Sequence, residues 1–272
     1  MASDLDYLSH LHAESDRFAQ ALRSASPDAR VPTCPDWDAD DLLWHLAEVQ
    51  CFWAAIVRDD VADPSTLERV DRPADRDGLF AFFASASAEL HAVLSATPPQ
   101  APRWTWSSEQ TAGFTRRRQA HEALIHRVDA ELTAQVERAP MDPALCEDGV
   151  DEALRVMFAG VPDWGSTTPD RDATVLVSAT DTGGSWWLTL GRFTGTDPAG
   201  EHHAQDDLLV ADAADGQGAP ADQTPAATVS GSAADLDCWL WGRPASSTGA
   251  VQQVGETAVL RRLNALIGQG ID

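Results

Sequence analysis

The sequence predicts an α+β protein: a bundle of four long helices to about residue 140, then a smaller domain of mixed α and β structure from about residue 150. Three observations carry this. Up to about residue 137, apolar side chains recur at three- and four-residue spacings in four long segments, the period of a buried helix face. Residues 140–150, PMDPALCEDGV, carry two prolines and read as a linker. Beyond them the helical period gives way to short runs rich in Val, Trp, Leu and Thr, which suit strands. A length of 272 residues fits one large domain or two small ones.

The first helix is expected over residues 3–25. Leu5, Leu8, His12, Ser15, Ala19 and Leu22 alternate at spacings of three and four, and Pro27 stops it. The second is expected over 38–60, with Asp36 or Asp38 as cap and Asp40 and Asp41 in its first turn, where carboxylates favour the positive helix end. Its inner stripe is Leu42, His45, Leu46, Val49, Phe52, Trp53 and Ile56. Pro64 and Pro73 mark a connecting loop. A third helix follows over 77–96, with Leu79, Phe82, Phe83, Leu90 and Leu94, and Pro98, Pro99 and Pro102 break it. The fourth spans 113–137, from Phe114 to about Val136. Four such helices with modest loops describe a bundle.

In the second half a short helix is expected at 151–159, strands at 173–179, 185–190, 207–211 and 226–230, and helices at 233–241 (capped by Ser232) and 255–267. Residues 195–225, rich in Ala, Asp, Gly and Pro, read as a long solvated loop. There is no internal repeat.

Hydrophobic residues make up 43% of the chain, enough for a sizeable core. The net charge is −24, from 43 acidic and 19 basic residues, and every basic residue is arginine. That balance excludes a phosphate-backbone binder and an anionic membrane surface as partners, and the absence of lysine excludes lysine Schiff-base chemistry. It leaves room for small anionic ligands in an arginine-lined cleft. No apolar run approaches the roughly 20 residues that span a bilayer. Cys34, Cys51, Cys146 and Cys238 are scattered and form no CxxC pair. Together with an N-terminus that lacks an export signal, they lead to the expectation of reduced thiols in a cytoplasmic protein.

The chemistry concentrates in the fourth helix, RRRQAHEALIHRVDAEL. Glu122 and His126 are four residues apart, so their side chains share one helix face, and Asp129 lies on the same stripe. Read alone, this is either a metal-ligand pair or a solvated helix edge with a Glu–His contact. His45 lies inside the apolar stripe of the second helix, where a lone histidine also reads as a hydrogen-bonded core residue. If the two helices are neighbours, two imidazoles and one carboxylate make a catalytic zinc set with its fourth position open. His12, on the stripe of the first helix, reads as core before it reads as a further ligand or a donor to one. His202 and His203 read as part of the solvated loop. Arg116, Arg117 and Arg118 are either anion-binding groups or a solvated helix start. The VPTCPDW segment, Val31 to Trp37, reads as a structural turn; Cys34 would be a nucleophile only if a helix N-terminus lowered its pKa. P-loop, GxGxxG, GxSxG and HExxH motifs are absent.

Three segments, VPTCPDWDADDLLWHLAEVQCFW, RRRQAHEALIHRVDAEL and VSGSAADLDCWLWGRP, occur in that order and resemble the mycothiol-dependent maleylpyruvate isomerase family. The resemblance spans nearly the whole chain. It implies a DinB-like metal-binding four-helix bundle over 1–140 and a C-terminal sterol-carrier-like α/β domain over 150–272. It implies a zinc ion held by His45, Glu122 and His126, and a catalytic arginine for which Arg243 is the nearest match. It also implies a small thiol, mycothiol or a similar molecule, as cosubstrate, with an electrophilic or carboxylated small molecule as the other partner. The activity that follows is zinc-dependent activation of the thiol for cis–trans isomerisation or for S-transfer. The competing class is a non-enzymatic metal- or thiol-sensing, or ligand-binding, module, which would keep the three ligands but lack a substrate pocket with convergent arginines.

Overall fold

The structure, a computed structural model, describes residues 5–160, 162–211 and 223–270. It divides into two compact units, Met1–Pro140 and Met141–Asp272.

The first unit contains helix α1 (Tyr7–Ser24), a short hairpin of β1 (Arg30–Val31) and β2 (Cys34–Asp38), and helices α2 (Ala39–Asp59), α3 (Arg76–Ala96) and α4 (Ala112–Ala134). Each helix starts at a residue whose side chain accepts from an otherwise unpaired backbone N–H: Asp6, Asp38, Asp75 and Thr111. Each such cap contributes about 0.5–2 kcal/mol. Asp38 forms a reciprocal capping box with Asp41, which fixes where α2 leaves the hairpin. The core gathers Phe18, Leu22, Val31, Leu42, Leu43, Leu46, Leu79 and Phe83. Fully burying side chains of this kind contributes about 1.5–3 kcal/mol each.

Two sequence expectations about α1 are corrected here, its inward stripe and the placement of His12 in the core. The buried face of α1 is Leu11, Glu14, Ser15, Phe18, Ala21 and Leu22, rotated from the stripe read in the sequence. His12 therefore points outward and pairs with Asp16 at 3.6 Å. The face is set by Glu14, a charged residue buried because Arg127 of α4 donates to it at 2.6 Å. Among the described residues, α3 is the one helix long and apolar enough, by composition, to cross a membrane, with mean hydropathy 1.4. Its Leu79, Phe80, Phe83, Ala86, Leu90 and Leu94 are buried in the bundle.

The second unit begins with α5 (Pro143–Glu152), which runs into a π-helical turn, Ala153–Phe158. Residues 140–150 are thus mostly helix and not a linker. Asp142 caps the first turn, and Pro143 sits at a helix start, where its missing N–H costs nothing. A five-stranded sheet follows, made of β3 (Gly165–Ala179), β4 (Ser185–Thr196), β5 (His202–Val210), β6 (Ala227–Gly231) and β7 (Gln252–Gly255), with helices α6 (Ala233–Leu240) and α7 (Thr257–Ile267). The strand order is β5-β4-β3-β6-β7. The β3–β6 pair is parallel and the rest are antiparallel. Val175, Val177, Leu188, Leu190, Leu208 and Val229 are fully buried, as are Leu236, Leu240 and Leu263 of the helices.

The predicted strands are the apolar parts of longer ones. Residues 165–172 extend β3 and residues 191–196 extend β4, and the ladder shifts register between Pro169 and Thr174. The strand expected at 207–211 is longer: residues 202–206 extend it into an edge strand where a solvated loop was expected. The part of that expected loop at 212–222 lies outside the described residues.

Candidate metal centre

Neighbouring helices of the bundle bring His45, Glu122 and His126 together. Glu122 and His126 lie one turn apart on α4, so both side chains project to the same side. His45 reaches them from α2. The Glu122 Oε1 atom is 3.2 Å from His126 Nε2 and 3.5 Å from His45 Nε2. One donor atom from each residue lies within 4.8 Å of the other two. Donors bound to zinc at about 2.0–2.1 Å with tetrahedral angles stand roughly 3.3 Å apart. Two measured edges bracket that value, so the donor set fits a small divalent cation. The side chains of His126, Glu122 and His45 are 10%, 19% and 31% exposed, which leaves the group open on the His45 side.

Each ligand has a partner behind it. His126 Nδ1 lies 3.0 Å from Asp129 Oδ2, and Asp129 is fully buried. The other Asp129 oxygen accepts from Thr33 Oγ1 at 2.5 Å. Arg118, also buried, donates to Glu122 Oε2 at 3.1 Å and so leaves Oε1 to face the two histidines. The Trp37 ring packs against the His45 ring at 4.7 Å, and the His45 and His126 rings meet edge-on at 4.8 Å.

Burial pushes the Glu122 carboxyl up, but hydrogen bonds from His126 and His45 and the charges of His126 and Arg118 overcome it and hold the group well below the usual carboxylate range. Burial likewise works against a charged His126, yet hydrogen bonds to Asp129 and Glu122 and their negative charges push it up to about 9. At neutral pH the metal-free ring is an imidazolium that donates Nδ1–H to Asp129 and Nε2–H to Glu122. A cation held by Nε2 would replace the second proton and leave the first in place, the arrangement in which a carboxylate orients a metal-binding histidine.

The remaining sequence candidates lie elsewhere or have other partners. Arg118 is not solvated, as the ion pair above shows, and Arg116 donates to the Leu94 and Thr97 carbonyls at 2.6 Å. Cys34 lies in β2 and forms no disulfide with another described residue. Arg243 follows α6 in the second unit and donates to the Trp241 carbonyl at 2.6 Å. His203 stands in β5, 3.0 Å from Asp197, and Asp197, Glu201 and His203 form a second cluster at the β4–β5 turn. Sequence reasoning missed the roles of Thr33 and Arg118; the spacing of Asp129, one turn beyond His126, was the available signal for the carboxylate.

The bundle with its inward His–Glu–His set, followed in the chain by a mixed sheet, defines a class of two-part helical-bundle proteins with a candidate divalent-metal centre. The chain belongs to the mycothiol maleylpyruvate isomerase family: the family's N-terminal domain matches residues 8–131 and its C-terminal domain matches residues 144–262. Among solved structures, the crystal structure of the mycothiol-dependent maleylpyruvate isomerase aligns over 93% of both chains with a TM-score of 0.54 and 14% identity. A histidine-to-alanine mutant of a protein described in the same words aligns over 93% of both chains with a TM-score of 0.55 and 12% identity. At such identities the likeness is one of fold. No curated protein matches the sequence.

Proposed function

We propose that this protein is a metal-dependent enzyme that activates a low-molecular-weight thiol for attack on an electrophilic small molecule. The observation that carries the reading is the convergence of His45 Nε2 and His126 Nε2 on Glu122 Oε1. Zinc suits this donor set, and when bound it supplies the positive charge that lets a thiol lose its proton at neutral pH.

The chain's own residues set the conditions. Two neutral imidazoles and one carboxylate carry a single negative charge, so a doubly charged cation keeps one net positive charge for an anionic fourth donor. Asp129 holds the His126 proton on Nδ1 and keeps Nε2 free as a ligand. Arg118 holds Glu122 to one oxygen. The thiol comes from outside the chain: burial and then the Glu89 charge push the Cys51 thiol up, away from the thiolate, and Cys146 and Cys238 are buried.

The relatives' printed description makes mycothiol and a maleylpyruvate-like substrate the first pair to try. In an isomerisation, the thiolate sulfur bonds to one carbon of a conjugated cis double bond, and the π pair moves into the adjacent carbonyl as an enolate. Rotation about the new single bond follows. The pair then returns, the C–S bond breaks and the trans isomer leaves with the thiolate restored. In an S-transfer the C–S bond remains. We assign Arg243 to the substrate's carboxylate or developing oxyanion. Arg243→Ala is then expected to raise KM for carboxylated substrates far more than for neutral electrophiles, and an equal effect on both would remove it from that role. The reading as a whole is tested by assaying the protein with and without metal and with and without thiol. Turnover only when both are present supports it. Thiol-independent turnover, or full activity of metal-stripped protein, contradicts it.

A further inference from the structure

The VPTCPDW segment has no part in the chemistry above, yet its tip and its second strand both reach the metal ligands. Val31 pairs with Cys34 across the hairpin, which puts Pro32 and Thr33 in the two-residue loop. Val31 is fully buried and anchors the hairpin in the bundle core, and Pro32 stiffens the loop. Thr33 Oγ1 then donates at 2.5 Å to Asp129, a residue 96 positions away on α4. The second oxygen of the same carboxylate lies 3.0 Å from His126 Nδ1. From β2, Trp37 lays its ring 4.7 Å from the ring of His45, tilted by 42°. The next residue, Asp38, caps α2 through a reciprocal capping box, so the hairpin is tied to the helix that carries His45.

We propose that the β1–β2 hairpin is the positioning element of the metal centre: Thr33 holds His126 through Asp129, and Trp37 holds His45. The inference rests on the metal-site reading above and deepens it. A histidine ligand has two soft torsions, and its ring must be aimed to within a few tens of degrees for the nitrogen lone pair to meet a cation. Asp129 restrains the His126 ring, but a carboxylate can itself rotate; Thr33 fixes it from the far side. Trp37 limits the His45 ring by contact alone. One segment thereby sets two ligands that come from different helices. Thr33 and Trp37 touch neither cation nor substrate in this arrangement and are positioning residues.

Partners of this kind change metal affinity by about 10–100-fold when removed, and Thr33 acts one bond further out, so roughly tenfold is expected for it. The test uses the full chain, stripped of metal and titrated with Co²⁺ against a chromophoric chelator. Thr33→Val is isosteric and removes the donor; Thr33→Ser restores it. Thr33→Val and Trp37→Leu should each weaken Co²⁺ binding by about tenfold and alter the cobalt d–d absorption, whereas Thr33→Ser should match wild type. Thr33→Val and Trp37→Leu affinities and spectra indistinguishable from wild type would overturn the inference and leave the metal reading standing. Failure of wild type itself to bind Co²⁺ would overturn both. A loss of fold in Thr33→Val would not blunt the test: in the zinc-loaded wild type and Thr33→Ser, proton NMR should show a slowly exchanging, downfield His126 Nδ1–H, and rapid exchange of that proton in folded wild type would overturn the inference.

Discussion

Arg127 offers a sharp test of what holds the ligand-bearing helix in register. It follows His126 directly and is fully buried. Its Nε donates to Glu14 of α1 at 2.6 Å, and its Nη1 donates to Glu131 at 2.8 Å and to the Ala139 carbonyl at 3.0 Å. One cation thus compensates two carboxylates and closes the end of the α4 segment. Among the described residues its Nη2 has no hydrogen-bond partner, so the desolvation cost is not fully offset, and the cluster contributes little beyond what apolar residues of the same shape would. Removing the arginine alone is another matter, because Glu14 and Glu131 are then left buried without their counter-charge. Arg127→Met should destabilise the bundle by roughly 3–5 kcal/mol. For a unit of this size, at about 3–4 °C per kcal/mol, the midpoint should fall by roughly 10–20 °C. Thermal melting followed at 222 nm reads mainly the helices and suits the purpose. Combining Arg127→Met with Glu14→Leu and Glu131→Gln should recover most of the loss, since no uncompensated charge remains. A single mutant within about 3 °C of wild type, or a triple mutant worse than the single, would refute the argument, because destabilisation would then not arise from stranded carboxylates.

The metal-free protein should show a proton linkage. His126 has a folded-state value of about 9, above the ordinary histidine value near 6.5, so its protonation contributes stability that is complete below about pH 6.5 and is lost as pH rises through about 9. Metal must displace that proton, so affinity should rise with pH up to about 9 and binding at pH 7 should release about one proton per ion. Calorimetry in buffers of different ionisation enthalpy measures the release, and a dissociation constant that is flat between about pH 7 and 8.5 would contradict it. Cys34→Ser should keep thiol-dependent turnover within about twofold of wild type, since a conservative change at a non-reacting thiol alters the barrier by only a few tenths of a kcal/mol; thiol-independent turnover that disappears in Cys34→Ser would make Cys34 the nucleophile.

The sequence carried the four bundle helices and the three metal-ligand candidates because both are periodic signals. The i,i+4 spacing of Glu122 and His126 is itself helical geometry, and His45 stood out as a polar residue in an apolar stripe. What stayed illegible depends on contacts between distant residues. The inward face of α1 was hidden because Glu14 is buried by a cation 113 positions away, which moved His12 from the expected core to the surface. The solvated reading of Arg118 failed for the same reason, since its Glu122 partner is itself drawn inward by two histidines. Residues 140–150 had been legible in principle: Asp142 followed by Pro143 is a helix-start signal, and two prolines close together masked it. In the sheet, the expected strands stopped where the side chains turn polar. Residues 165–169 and 202–206 pair through backbone groups at exposed or half-buried positions, and hydrophobic alternation does not report on such pairing.

The central claim is that the three side chains hold a cation whose open position takes a thiol as thiolate. The most direct measurement is the near-ultraviolet spectrum of the Co²⁺-substituted protein on addition of a small thiol at neutral pH. The account predicts a sulfur-to-cobalt charge-transfer band that saturates at one thiol per metal, is absent in Glu122→Gln and persists in Cys34→Ser. A protein that binds Co²⁺ through His45, Glu122 and His126 yet gives no such band at saturating thiol would contradict it.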